Sequence, residues 1–238
     1  MNKNRLLYVA LIDKSDPRFV GVIKKVESIL RVFNKYNYEA AILCFNTNKR
    51  MELYNSEQVL QSFRITHTVS MKSPLSRYKR KKEIFDIVYN VATKVYRSDI
   101  VIFRYTMTDH FFIHVLDEFN HFGIFTILDI PTYPYDKELK KSLYWLTKSC
   151  IDRFYRRSLR RRVNFVYSPS NEPYIFGIQN IQTTNGIDCS SIKIQRPRER
   201  KFGDLHFVSV ANVSFWHGYD RIIRGMYEYY KSNPSKPV

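Results

Sequence analysis

At 238 residues the chain is long enough to bury one large core and part of a second, since domains usually run to about 100–150 residues. With 44% hydrophobic and 16% aromatic residues it is not disordered as a whole, and no run approaches the ~18 uncharged apolar residues of a membrane span. Lys and Arg number 39 against 22 acidic residues, a net charge of +17, so an anionic partner is expected; composition alone leaves nucleic acid, an acidic membrane surface and a phosphorylated substrate open.

Leu6–Ile12 is an apolar run that ends at Asp13, and Val22, Val26, Ile29, Leu30 and Phe33 follow at helical spacing, which predicts strand, loop and helix. Ala40–Phe45 is a second predicted strand and Ile65–Val69 a weaker third. Ile84, Ile87, Val88, Val91 and Val95 mark a helix, Ile100–Phe103 a strand, Phe111–Phe119 a helix and Ile124–Leu128 another strand. A long helix over Lys137–Leu159, a strand at Asn164–Tyr167 and a last one at Ile181–Thr184 complete the alternation. Continuous apolar strands alternating with helices predict an α/β fold: a Rossmann-like, doubly wound parallel sheet spanning 1–189. Residues 190–203 are charged and aperiodic and read as a linker. Within 204–238, a fresh strand at His206–Val210 and a helix over Tyr219–Tyr230 open an incomplete second domain; because one strand and one helix cannot bury their own apolar faces, the chain is expected to be a fragment.

In open α/β sheets ligands gather at the carboxyl ends of the strands, so the loop Asp13–Gly21 is a candidate, with Gly21 permitting close backbone approach. The loop lacks the G-x-G-x-x-G pattern of a dinucleotide site. Arg104 and Tyr105 end a strand and are expected to face the same crevice, where the Arg104 fork suits a phosphate or carboxylate. Asp129-Ile130-Pro131-Thr132-Tyr133-Pro134-Tyr135-Asp136 follows a buried strand and offers carboxylates and hydroxyls on a proline-stiffened loop, a pattern that can bind a sugar or serve as a rigid connection. Two basic segments, one with Lys79, Arg80, Lys81 and Lys82 and the other with Arg156, Arg157, Arg160 and Arg161, combine charge with apolar neighbours as helices lying on an anionic membrane surface do. The same pattern describes a solvated helix face over a sheet.

No metal site is expected. His110 and His114 lie one turn apart without the neighbouring Glu of a zinc helix, and Cys44, Cys150 and Cys189 are widely separated and read as buried or idle thiols. Neither a P-loop nor a G-x-S-x-G elbow is present. A nucleic-acid module is disfavoured because the basic residues are not interleaved with aromatic platforms.

Three segments together resemble family-4 retaining glycosyltransferases of the GT-B fold, of the kind that build bacterial capsular and surface polysaccharides: DIPTYPYD at 129–136, TNGID at 184–188 and VANVSFWHGYD at 210–220. The resemblance implies the N-terminal half of a GT-B fold, with an acceptor-side domain, a linker and the start of the donor domain. It implies sugar transfer, with retention and without a metal or other cofactor, from a nucleotide sugar to a lipid-linked saccharide at the inner face of the cytoplasmic membrane. Gly21, Arg104, Tyr105, Asp129, Thr132 and Tyr133 are then acceptor-side residues, and Asn212, His217 and Gly218 face the donor diphosphate, with Asn212 and His217 standing where many members have Arg and Lys. The family's paired glutamates lie beyond Val238, so these 238 residues are expected to be inactive alone. The alternative is a non-catalytic protein that binds a partner subunit, for which an exposed apolar patch at Phe215, Trp216 and Tyr219 would speak.

Overall fold

The computed structural model describes residues 3–47, 49–55, 58–67, 73–135, 143–184 and 218–232. The chain divides into two units, Met1–Ile187 and Asp188–Val238. The linker at 190–203 and the strand expected at His206–Val210 lie outside the described residues.

The first unit is an α/β sandwich around a mostly parallel sheet. In chain order it has β1 (Arg5–Asp13), α1 (Val20–Lys35), β2 (Glu39–Phe45), β3 (Arg50–Tyr54), β4 (Val59–Arg64), α2 (Pro74–Asn90), β5 (Ile100–Arg104), α3 (His110–His121), β6 (Phe125–Asp129), α4 (Leu143–Arg156), β7 (Phe165–Ser168), β8 (Tyr174–Ile175) and β9 (Ile178–Gln182). The spatial order is β4-β3-β2-β1-β5-β6-β7-β9-β8. The run from β2 to β9 is parallel, while β3, β4 and β8 are antiparallel additions at the two edges. This is the doubly wound arrangement that the strand–helix alternation predicts.

Leu6 to Ala10 are all fully buried because both faces of the central strand are covered. On one face Tyr8 and Ile42 pack on α1 through Ile23, Val26 and Leu30, whose i, i+3, i+7 spacing puts them on a single stripe. On the other, Val9, Val101 and Phe103 meet Phe85, Val88, Phe112, Val115 and Phe119 of α2 and α3. Each such side chain contributes roughly 1.5–3 kcal/mol of burial. Cys44 lies inside the first of these layers, and burial pushes its thiol up to about 12; Cys150 is exposed and free.

Two expectations change in detail. A third strand was expected at Ile65–Val69, but the chain forms the β3–β4 hairpin earlier and Ile65 sits just past it, its N–H donating to the Lys49 carbonyl at 2.8 Å. Only Met51 and Leu53 of this hairpin are deeply buried apolar residues; β4 is an edge strand held by backbone pairing and exposed along nearly its whole length, so its Val59 and Leu60 form no buried stripe. At the other edge the strand expected over 181–184 runs over Ile178–Gln182 and is preceded by β8. Phe176 and Gly177 between them have φ of 54° and 76°, the left-handed pair of a two-residue hairpin turn that right-twisted strands favour. The helix expected over Lys137–Leu159 is described from Leu143 to Arg156, followed by a turn of 3-10 helix at Leu159–Arg161.

In the second unit the described element is α5 (Tyr219–Lys231), which buries no residue and carries Ile222, Ile223, Met226 and Tyr230 exposed. Gly218 caps it at φ 69°, where a Cβ would come within 3.1 Å of the Arg221 side chain.

Candidate functional site

The strand order reverses between β1 and β5: β2 lies on one side of β1 and the later strands follow on the other. At this point the two strands part. β1 pairs with β5 only as far as Val9 with Phe103, then shifts register between Ala10 and Asp13 and stays with β2 to Phe45. β5 goes on to Arg104, which pairs with Asp129 of β6. A crevice opens there at the carboxyl ends, the position at which α/β sheets place ligands.

The floor of that crevice is polar. Arg104 Nη1 donates to Asp129 Oδ2 at 2.9 Å, and the Tyr8 hydroxyl donates to the same oxygen. Asp129 is 1% exposed and the Arg104 side chain 15%, so a buried carboxylate is matched by an adjacent guanidinium that still reaches solvent. Burial works against the Arg104 charge, but Tyr8 and Asp129 beside it outweigh that and raise its affinity for the proton. Burial, reinforced by Asp129, pushes the Tyr8 phenol far up, so it stays a neutral donor; the Tyr167 phenol, one strand further on, is pushed up by burial and by Tyr8. With its charge neutralised and its oxygen doubly hydrogen-bonded, Asp129 holds Arg104 in place.

A second polar group forms on the other face of the same strand end. Asp152 of α4 is 1% exposed and accepts from the Tyr105 hydroxyl at 2.7 Å, the Thr108 N–H at 2.7 Å and the Tyr135 hydroxyl at 2.5 Å. Arg156 approaches the same carboxylate only at 3.5 Å and donates to the Tyr135 hydroxyl at 3.0 Å. The rings of Tyr105, Tyr133 and Tyr135 gather around Phe176 with centroids 5.6, 5.9 and 6.2 Å away. Burial pushes the Tyr105 phenol up, helped by Tyr135 and Asp152.

These contacts sort the residues singled out in the sequence. Arg104 and Asp129 meet directly, whereas Tyr105 turns to the opposite face and is engaged with Asp152. Tyr133 is half-buried against Phe176, and Thr132 is exposed on the loop beyond β6. Gly21 is exposed in the first turn of α1, and a Cβ there would meet nothing within 4 Å, so no neighbour in the structure requires a glycine. The carboxylates of the loop before it are engaged internally: Asp13 accepts from Ser15 and Thr47, and Asp16 caps Arg18. Asn212 and His217 lie outside the described residues, and Gly218 is the cap of α5.

The basic segments are less free than their composition suggests. Arg80 donates to the His67 carbonyl, Lys81 pairs with Asp109, Lys82 pairs with Asp86 at 2.9 Å, and Arg156 points inward to Tyr135; Lys79, Arg157, Arg160 and Arg161 are exposed. Half of the residues assigned to a membrane surface therefore have partners within the protein. No helix among the described residues is long and apolar enough to cross a membrane, and no group of three or more His, Cys, Asp or Glu among them is placed to hold a metal.

Asp152, Thr108, Tyr8 and Tyr167 were not foreseen. Asp152 sits in a strongly basic, largely exposed helix, and the two tyrosines sit within apolar strands, so local pattern gives each an ordinary surface or core reading.

No family model and no curated protein matches the chain. Similar solved structures include the phosphomethylpyrimidine kinase of Clostridium difficile 630, at 11% identity over 69% of this chain and 59% of that one, and the pyridoxal kinase of Bacillus subtilis, at 13% identity over 70% and 50%; the TM-score is 0.31 for both. The chain thus spans about half to three-fifths of these neighbours' length. They are kinases and not glycosyltransferases, which overturns the reading of the chain as the front of a GT-B glycosyltransferase, and with it sugar transfer, the nucleotide-sugar and lipid-linked partners, the membrane surface and the partner-subunit alternative. The motifs behind that reading are short. In DIPTYPYD the carboxylate of Asp129 and the hydroxyl of Tyr135 are taken up by interactions inside the protein, and most of TNGID and VANVSFWHGYD falls outside the described residues.

Proposed function

We propose that the first unit binds a small molecule carrying a phosphate or carboxylate at the carboxyl-end crevice, with Arg104 as the anchor and Asp129 and Tyr8 as its positioning groups. The parting of β1 from β5 above an oriented, mostly buried guanidinium that still reaches solvent carries this reading. Nη1 of Arg104 is held by Asp129, and a guanidinium carries further N–H donors in a planar fork that suits a planar or tetrahedral anion. Thr132, on the loop that follows β6, and Gly21, in the first turn of α1, come from the segments that flank the crevice and complete its rim. The charge of +17 draws anions towards the surface in general, and the fork selects among them.

The test is calorimetric titration of the full chain with inorganic phosphate and with citrate. Replacing the pair together, Arg104→Gln with Asp129→Asn, keeps the floor neutral and hydrogen-bonded while removing the anchor. Binding is expected to weaken about tenfold or more, the loss of one charge-assisted contact. Unchanged affinity in this double variant would dismiss the reading. Arg104→Lys keeps the charge without the fork and is expected to fall between the two.

A further inference from the structure

Between α3 and the end of α4, in the helical layer on the face away from α1, the first unit carries an open depression of about 410 Å³. Ile113, Phe154 and Tyr155 line it together with Arg157, Arg160 and Arg161. Its volume falls in the range of about 300–1,000 Å³ typical of small-molecule sites. Phe154 is 70% exposed and stands edge-on to Tyr155 at 5.1 Å, so a large aromatic face is held open to solvent beside the arginines.

The contrast with the neighbouring arginines is what makes this a site. Arg162, which also lines the depression, is fixed by Asp117, at 2.6 and 3.2 Å, and Arg156 by Tyr135. The guanidinium groups of Arg157, Arg160 and Arg161 make no ion pair or side-chain hydrogen bond with any described residue, and no carboxylate lines the depression. An anion seated against these exposed guanidinium groups accepts N–H donors that no described residue takes. A cluster of this charge beside an exposed ring matches a ligand with a polyphosphate at one end and an aromatic ring at the other.

We infer that this depression is a second ligand site, distinct from the Arg104 crevice, which takes a nucleoside polyphosphate with its base on Phe154 and its phosphates on Arg157, Arg160 and Arg161. The decisive experiment titrates the full chain with ATP and with inorganic tripolyphosphate, using the Arg104→Gln, Asp129→Asn protein so that the crevice makes no contribution. ATP is expected to bind at one per chain and about tenfold tighter than tripolyphosphate, the gain of one stacked base. Arg157→Ser with Arg161→Ser is expected to weaken both ligands about tenfold or more, and Phe154→Ala to abolish only the advantage of ATP. These side chains are exposed, so the variants are expected to fold. Lys24→Ser with Lys35→Ser on α1 removes the same charge elsewhere and is expected to leave binding unchanged. The inference is overturned if the arginine pair is without effect, if the α1 control weakens ATP equally, if tripolyphosphate binds as tightly as ATP, or if a 15-mer of deoxythymidylate outcompetes ATP, which would make the patch a nucleic-acid surface.

Discussion

Two buried carboxylates sit back to back at the carboxyl end of the sheet, and the protein compensates them differently. Asp129 and Asp152 are each 1% exposed, yet Asp129 has a guanidinium at 2.9 Å while Asp152 relies on two phenols and a backbone amide, with its nearest guanidinium nitrogen at 3.5 Å. The difference follows from where each lies. Asp129 ends a strand whose neighbour in register is Arg104, so the pairing of β5 with β6 itself delivers the counter-charge. Asp152 projects from a helix towards loops rich in tyrosine, where hydroxyls are at hand. One arrangement leaves cationic donors facing a crevice; the other consumes its donors in fastening the 129–135 loop to α4.

The largest effect that sharpens this contrast is expected from Arg104→Ala, which strands the Asp129 charge in the interior and should cost about 3–5 kcal/mol, measured by urea denaturation. Adding Asp129→Asn is expected to recover much of that loss, since the uncompensated charge goes with it. Next comes Asp152→Ala, which leaves the Tyr105 and Tyr135 hydroxyls and the Thr108 amide without their acceptor and should cost about 3 kcal/mol. Removing the guanidinium on this side is expected to matter much less: Arg156→Ala should cost about 1 kcal/mol, from a long ion pair and one hydrogen bond to Tyr135. Equal losses for Arg104→Ala and Arg156→Ala would break the comparison.

A third carboxylate gives the smallest and most pH-specific effect. Burial acts to raise the Glu83 carboxyl, but hydrogen bonds from the Thr66 hydroxyl and N–H and from His67 outweigh it and hold the group at about 2, down from its usual 4.5. A depressed carboxyl supplies stability that is fully present above pH 4.5 and is lost as pH falls towards 2. The melting temperature of the wild-type chain relative to Glu83→Gln is therefore expected to show its advantage at pH 6 and to lose most of it on acidification to pH 2.5. A constant gap across that interval would show that neutral donors do not act on Glu83 as they act on Asp152.

Much of the architecture follows from patterns that the chain carries locally. Apolar runs such as Leu6–Ile12 and Ile100–Phe103 form buried strands, and the helical stripe of Ile23, Val26 and Leu30 forms α1, because burial rewards periodicity wherever it occurs. Arg104 and Asp129 could likewise be named in advance, since a charged residue closing an apolar strand must lie at its carboxyl end. Other features depended on partners distant in sequence. The hairpin β3–β4 mixes polar and apolar residues and takes its strand character from pairing with β2, and α4 reads as a basic surface helix until Tyr105 and Tyr135 close over Asp152. The opening between β1 and β5 was likewise decided only by the tertiary structure, because it arises from the pairing of strands some 90 residues apart and from a register shift between β1 and β2, and neither leaves a trace in the local periodicity of the chain.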